Sequence, residues 1–211
     1  NHMVINFYEI VKTDFEKLKT KIEATLFSRA TYSIAWAIYR MPHLFPKIVR
    51  AWAFYVATNM GFSCMIGSWG FDKYGKRAKS FLNKKMRFDM DIPKRLEQVK
   101  IECDDACKVL ETNDAVDAFH YVDPPYIDTH QGHYGGYTQK DYEQLLITLS
   151  QVKGKFLLSS YPSAILEKYT EQNGWYTLSF DKPLSAEKSV DGKQKKRKTE
   201  VLTANYPLSI T

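Results

Sequence analysis

From residue 93 onward, short apolar or aromatic runs alternate with amphipathic segments, and this alternation restricts the fold more than any other feature of the sequence. "IPKRLEQV" reads as a short helix, "KIEC" as a short strand and "DDACKVLET" as a helix. "AFHYVD" reads as a buried strand, "TQKDYEQLLITLSQV" as an amphipathic helix and "GKFLLSSY" as a strand. "PSAILEKYTEQ" is expected to be helical, and "WYTLSF" and "TEVLTANY" to be the last two strands. Strands alternating with helices imply an α/β fold with a mostly parallel sheet covered on both faces. In such sheets a ligand sits beyond the carboxyl ends of the strands. Asp123 stands at one such end.

The first 92 residues follow another pattern. Residues 4–24 read as one or two amphipathic helices, with Val4, Phe7, Tyr8 and Val11, then Phe15, Leu18 and Ile22, at helical spacing. Thr13 is expected to cap the second piece, with Glu16 three residues on. Residues 28–62 read as helical and rich in aromatics, broken at "MPHLFP" by Pro42 and Pro46. A loop punctuated by Gly61, Gly67, Gly70 and Gly75 follows, decorated by Trp69, Phe71 and Tyr74. Lys73, Lys76, Arg77, Lys79, Lys84, Lys85 and Arg87 make residues 73–87 basic. Cations suit phosphates and rings suit bases or sugars, so this stretch fits a nucleic-acid surface, with a solvated basic face as the plainer alternative. A second basic tract, "KSVDGKQKKRK" at Lys188–Lys198, reads as a hairpin loop that contacts a phosphate backbone. The formal net charge of +6 points the same way.

Several classes fall away. No apolar run reaches the roughly 18 residues that span a bilayer, and the start "NHMVINFYEI" lacks a charged segment followed by an apolar one. A soluble, cytoplasmic protein without membrane partners is expected. Cys64, Cys103 and Cys107 are an odd count, which argues against a disulfide framework. Cys103 and Cys107 sit four apart with no histidine or second cysteine pair nearby, so reduced thiols are expected rather than zinc. His120, His130 and His133 are likewise read without a metal, and "IDTHQGHYGGYTQKD" as a lid.

The sharpest chemical signal is "DPPY", Asp123–Tyr126, directly after the strand "AFHYV". With proline near 5% of residues, its chance occurrence in a chain this long is on the order of one in a thousand. A Pro-Pro turn closing a strand is the structural alternative. The chemical reading explains each residue. The exocyclic amine of adenine is a poor nucleophile because its lone pair is delocalised into the ring. Two acceptors aimed at the amine protons restore lone-pair character: the Asp123 carboxylate and the Pro124 carbonyl, which proline's fixed φ holds in place. Tyr126 offers a flat face on which an extruded base can stack. Catalysis is then mainly positioning of nitrogen against a methyl group, with no metal required. Ser159, Ser160 and Tyr161 lie at the end of the next strand. No Gly-x-Ser-x-Gly elbow surrounds the serines, so lining the base pocket is the preferred role for Ser160 and Tyr161.

On these residues the sequence resembles the amino-directed, S-adenosyl-L-methionine-dependent DNA methyltransferases, in the Dam-like adenine-specific branch with phage- and plasmid-type members. "VINFYEIVKTDFEKL", "RAWAFYVATNMGFSCMIGSWGF", "IECDDACKVL", "FHYVDPPY", "KGKFLLSSYPS" and "KKRKTEVLTANY" carry the resemblance over nearly the whole chain. It implies a Rossmann-like methyltransferase sheet at residues 1–27 and 93–211, with an inserted helical DNA-recognition lobe at 28–92. It implies S-adenosyl-L-methionine bound by Asp105, Ala106 and Asp123, with Asp105 accepting from the cofactor's adenine amine. The catalytic residues it implies are Asp123, Pro124, Pro125 and Tyr126, with a base pocket of Tyr126, Ser160 and Tyr161. Double-stranded DNA is expected to meet Trp69, Lys73, Tyr74, Lys76, Arg77, Lys195, Lys196, Arg197 and Lys198. A restriction endonuclease is a candidate partner, and a bacterial or phage origin is expected.

One departure stands out. The family's opening strand and its Phe-x-Gly-x-Gly turn, and a second strand ending in an acid, have no counterpart, and no glycine precedes Gly61. The chain is therefore expected to be an N-terminally truncated methyltransferase whose sheet lacks its first strands, as a monomer or a strand-exchanged dimer. N4-cytosine or RNA amino methylation by the same site, and a catalytically inactive DNA-binding fragment, are the alternatives.

Overall fold

A computed structural model describes residues 1–62, 66–71, 73–127, 136–183 and 197–209, with backbone alone for 182, 183 and 197. The chain divides into two compact units, Asn1–Cys103 and Asp104–Thr211.

The first unit is helical: α1 (His2–Thr13), α2 (Phe15–Glu23), α3 (Arg29–Arg40), a 3₁₀ turn at Pro42–Leu44, α4 (Lys47–Met60), α5 (Lys76–Met86) and α6 (Asp91–Leu96). Helix α4 is central. Ala51, Ala53, Val56 and Ala57 are completely buried, and side chains this small let neighbouring helices approach closely. The apolar stripes of α1 and α2, through Val11, Leu18 and Ile22, join Tyr32 and Ile38 of α3 and Phe81 of α5 in one core. Residues 1–27 pack with the helices of 28–92 within the first unit. The hydrophobic faces of α1 and α2 are covered within the helical unit itself.

Two local expectations change. The Thr13 hydroxyl donates to the Glu9 carbonyl, and Asp14, not Thr13, occupies the N-cap of α2. Lys76–Phe81, expected in a loop, open α5. Lys85 on that helix donates to the carbonyls of Glu23 and Thr25 at 3.0 and 3.1 Å, which satisfies open acceptors at the end of α2.

The second unit contains α7 (Ala106–Asn113), β1 (Phe119–Val122), α8 (Gln139–Gln151), β2 (Lys155–Ser160), α9 (Ala164–Asn173), β3 (Tyr176–Pro183) and β4 (Arg197–Ala204). The strand order is β1-β2-β4-β3. Only β1 and β2 pair in parallel; β4 runs antiparallel to both β2 and β3. The sheet is thus mixed rather than mostly parallel, because β4 returns antiparallel and inserts between β2 and β3. Residues 100–103 form no strand. They have no ladder partner, and Lys100 pairs with Glu102 at the surface.

β1 is less buried than expected. Among the described strands it pairs on one side only, and Phe119 and Tyr121 are 56% and 59% exposed. β2 is the enclosed strand, with Phe156 and Leu158 fully buried. Phe156 meets Trp175 edge to face at 5.0 Å.

Both ends of the parallel pair are fixed. At the amino ends, Asp114 accepts from the backbone N–H groups of Lys153 and Gly154 at 2.7 and 3.1 Å and from His120 Nε2 at 3.2 Å. At the carboxyl ends, the Val122–Leu158 register sets the loop after β1 beside Ser159–Tyr161.

Candidate active site

A cavity of about 510 Å³ opens at the carboxyl end of β1, a size that suits a small-molecule ligand. Three elements build it: the start of α7, the end of β1 with its Pro-Pro turn, and the start of α8. Asp105, Ala106, Asp123, Pro124 and Pro125 all line it, so five of the residues singled out in the sequence meet in one place. Val109, Leu110, Val122 and Leu145 supply an apolar wall.

Two acids in the wall also cap helices. Asp105 Oδ1 accepts from the N–H groups of Cys107 and Lys108 at 3.0 and 3.2 Å, as N-cap of α7. Thr138 and Asp141 form a capping box at the start of α8, and these hydrogen bonds hold the Asp141 carboxyl below the usual range. With Asp123, three carboxylates line the cavity among the described residues, and no described lysine or arginine does. Such a wall favours a cationic ligand over an anionic one.

Sequence reasoning missed Asp141, Gln144, Tyr121 and Tyr137 in this wall. For Asp141 a signal was available: "TQKD" is a Thr-x-x-acid pattern just before an amphipathic helix. The others needed the fold, because Tyr121 comes from β1, Tyr137 from the chain just before α8 and Gln144 from α8 itself.

On the other side of Asp123 lies an aromatic cluster. The Tyr126 hydroxyl is 2.9 Å from Ser159 Oγ. Its ring meets Tyr161 edge to face with centroids 4.4 Å apart, and Lys198 Nζ lies 4.4 Å over the Tyr161 ring. Burial raises the Tyr126 phenol above its ordinary pKa. The Ser159 hydrogen bond works against that, while the Asp123 and Glu200 carboxylates add to it. Ser160 Oγ is buried outside hydrogen-bond geometry of any described group, with the Tyr142 phenol as a polar neighbour. Asp123 therefore stands at a junction: it lines the cavity and its charge acts on the hydroxyl of Tyr126.

The remaining expected residues divide. Trp69 is packed into the helical core, 5.1 Å from Phe27 and 5.6 Å from Tyr32 by ring centroids. The Arg77 guanidinium donates to the Gly61 carbonyl at 3.1 Å and lies 5.1 Å from the Phe62 ring centroid. It also fills the space a Cβ at Gly70 would need. Tyr74 is 77% exposed, with Lys73 Nζ 5.9 Å from its ring, and Lys76 is exposed beside it. Lys195, Lys196 and the Arg197 side chain lie outside the described residues, as do His130, His133 and most of the expected lid. His120, read above with the other two histidines, is paired with Asp114. No described helix is long and apolar enough to cross a membrane.

A model of the D12 class N6 adenine-specific DNA methyltransferase family matches residues 1–178. No curated protein matches the chain.

Proposed function

The chain belongs to the D12 class of N6 adenine-specific DNA methyltransferases, and from that premise we propose how its residues share the transfer of a methyl group to adenine N6 in DNA. The donor proposed is S-adenosyl-L-methionine, which supplies a methyl on a positively charged sulfur. The fit rests on the cavity itself: about 510 Å³, an apolar wall and three carboxylates without a basic residue among those described. Asp105 Oδ1 is engaged in capping α7, and Oδ2 is the acceptor for an adenine amine of the donor. Ala106, next to it, keeps the cavity wall low where that ring lies.

The observation that carries the catalytic reading is that Asp123 lines the cavity and also acts on the Tyr126 hydroxyl. From there its carboxylate accepts a hydrogen bond from one N–H of the target amine, and the Pro124 carbonyl accepts one from the other. The nitrogen lone pair is then localised and directed at the cavity. Pro125 stiffens the turn that holds both acceptors. The base stacks on Tyr126, beside Tyr161, with buried Ser160 behind them in the wall of the proposed pocket. The parallel β1–α8–β2 unit with its ligand cavity at the carboxyl end supports a Rossmann-like sheet. Duplex DNA is met by Lys73, Tyr74 and Lys76. Trp69 and Arg77 shape that surface from beneath.

The test is to incubate the chain with methyl-labelled S-adenosylmethionine and unmethylated duplex DNA, then digest to nucleosides. Label is expected in N6-methyladenine. Label in N4-methylcytosine would overturn the base assignment, and tight binding of the donor in another place, seen by spectroscopy of Asp105→Ala, would overturn the cavity assignment.

A further inference from the structure

We infer that Lys198 is a nucleotide-binding residue: its ammonium, held over Tyr161, takes the phosphate of the adenine nucleotide that has left the helix. This rests on the base pocket proposed above and extends it from the base to the backbone. Three observations carry it. First, Lys198 Nζ sits 4.4 Å over the Tyr161 ring, and that ring lies 4.4 Å from the ring of Tyr126. The ammonium is therefore within about 9 Å of the proposed stacking face, a span matching a base and the phosphates on its own sugar. Second, the surroundings are acidic. Asp123 and Glu200 both act on the Tyr126 hydroxyl, so a phosphate arriving with the base is repelled unless a cation stands at the lip. Third, Lys198 is on described strand β4, in register with Lys182 of β3, and not out on the preceding loop. Its backbone is fixed by the sheet, and its ammonium stands over the Tyr161 face.

The reasoning separates Lys198 from a merely basic tract. A generic contact gains phosphate wherever DNA passes. A contact to the extruded nucleotide gains it only when an adenine occupies the pocket. The experiment uses the whole chain and two duplexes of equal length, one fully paired and one carrying a single bulged adenine, which costs less to extrude. Affinity is measured against salt concentration. On the bulged duplex, Lys198→Ala is expected to flatten the slope of log K against log salt by about one unit, the loss of one phosphate contact. Lys198→Arg keeps the slope. On the paired duplex the Ala variant changes it by much less. Equal flattening on both duplexes, or none on the bulged one, overturns the inference. If the parent chain shows no preference for the bulged adenine, the base pocket itself is refuted, and this inference with it. A fold check by circular dichroism on each variant accompanies the titrations. The side chain is exposed, so all variants are expected to match the parent.

Discussion

Ser159→Ala removes the hydrogen bond between Ser159 and Tyr126 at the proposed stacking face. Ser159 is 7% exposed on β2, and its hydroxyl is 2.9 Å from that of Tyr126. A neutral hydrogen bond of this kind contributes about 0.5–1.5 kcal/mol net. Ser159 touches no cofactor-cavity residue in the wall described above, so it acts through Tyr126 as a positioning residue. If the full contribution appears only when the base must be held in line with the methyl group, the rate constant for transfer falls roughly 2- to 10-fold. Duplex affinity and donor affinity should stay near the parent values. Tyr126→Phe keeps the ring and removes the same bond, so it should give a loss of similar size. The double variant should lose no more than the worse single variant, because both changes delete one interaction. Single-turnover transfer of labelled methyl to unmethylated duplex DNA, with parallel binding titrations, reads all four corners of this cycle. A Ser159→Ala variant as fast as the parent would refute the reasoning, and so would a double variant whose loss is the product of the two single losses.

Other outcomes follow from the same geometry. Asp123→Ala should abolish methyl transfer while leaving duplex binding within a few-fold of the parent, as measured by label incorporation and fluorescence anisotropy. Gly154→Ala places a Cβ 2.6 and 2.7 Å from the carbonyl oxygens of Ala118 and Ala115, so backbone must move; a cost of about 1–3 kcal/mol is expected, seen as a lower Tm in a thermal scan. The Lys153 N–H lowers the Asp114 pKa below its ordinary value; burial, the next largest cause, opposes this, and the Gly154 N–H and then His120 lower it further. A depressed folded-state pKa contributes stability above the unfolded value that is lost as pH falls through the folded one, so Asp114→Asn should flatten the stability profile below about pH 4 in acid titrations followed by circular dichroism. Arg77→Gln should speed chymotryptic cleavage at Phe71 and Tyr74, because the guanidinium tie to Gly61 is gone; unchanged cleavage would return Arg77 to a pure DNA-contact role.

The catalytic turn was legible because its chemistry is local. "DPPY" holds an acid, a fixed carbonyl and a flat ring within four consecutive residues, and no distant partner is needed to recognise them. The helices were legible for a similar reason: the apolar period of α1, α2 and α8 and the proline break between α3 and α4 are written at short range. Strand neighbours were not. β4 sits between β2 and β3, antiparallel to both, and nothing in its own sequence names the strands it joins. That choice is made by which faces bury Phe156, Leu158 and Val201 together. The exposure of Tyr121 and Phe119 on β1 was misread for the same reason, since burial belongs to the assembled sheet and not to the hydrophobicity of a run.

Basic residues divide along the same line. Sequence alone determined that Arg77, Lys85 and Lys198 carry positive charge. Only the tertiary structure decided that Arg77 ties a loop to Gly61, that Lys85 closes the end of α2, and that Lys198 stands over Tyr161. A side chain's charge is intrinsic, but the acceptor or ring it meets is set by contacts across tens of residues. The sequence by itself determined that an acid, a fixed carbonyl and a ring share one short turn, and the fold decided which cavity and which rings that turn meets.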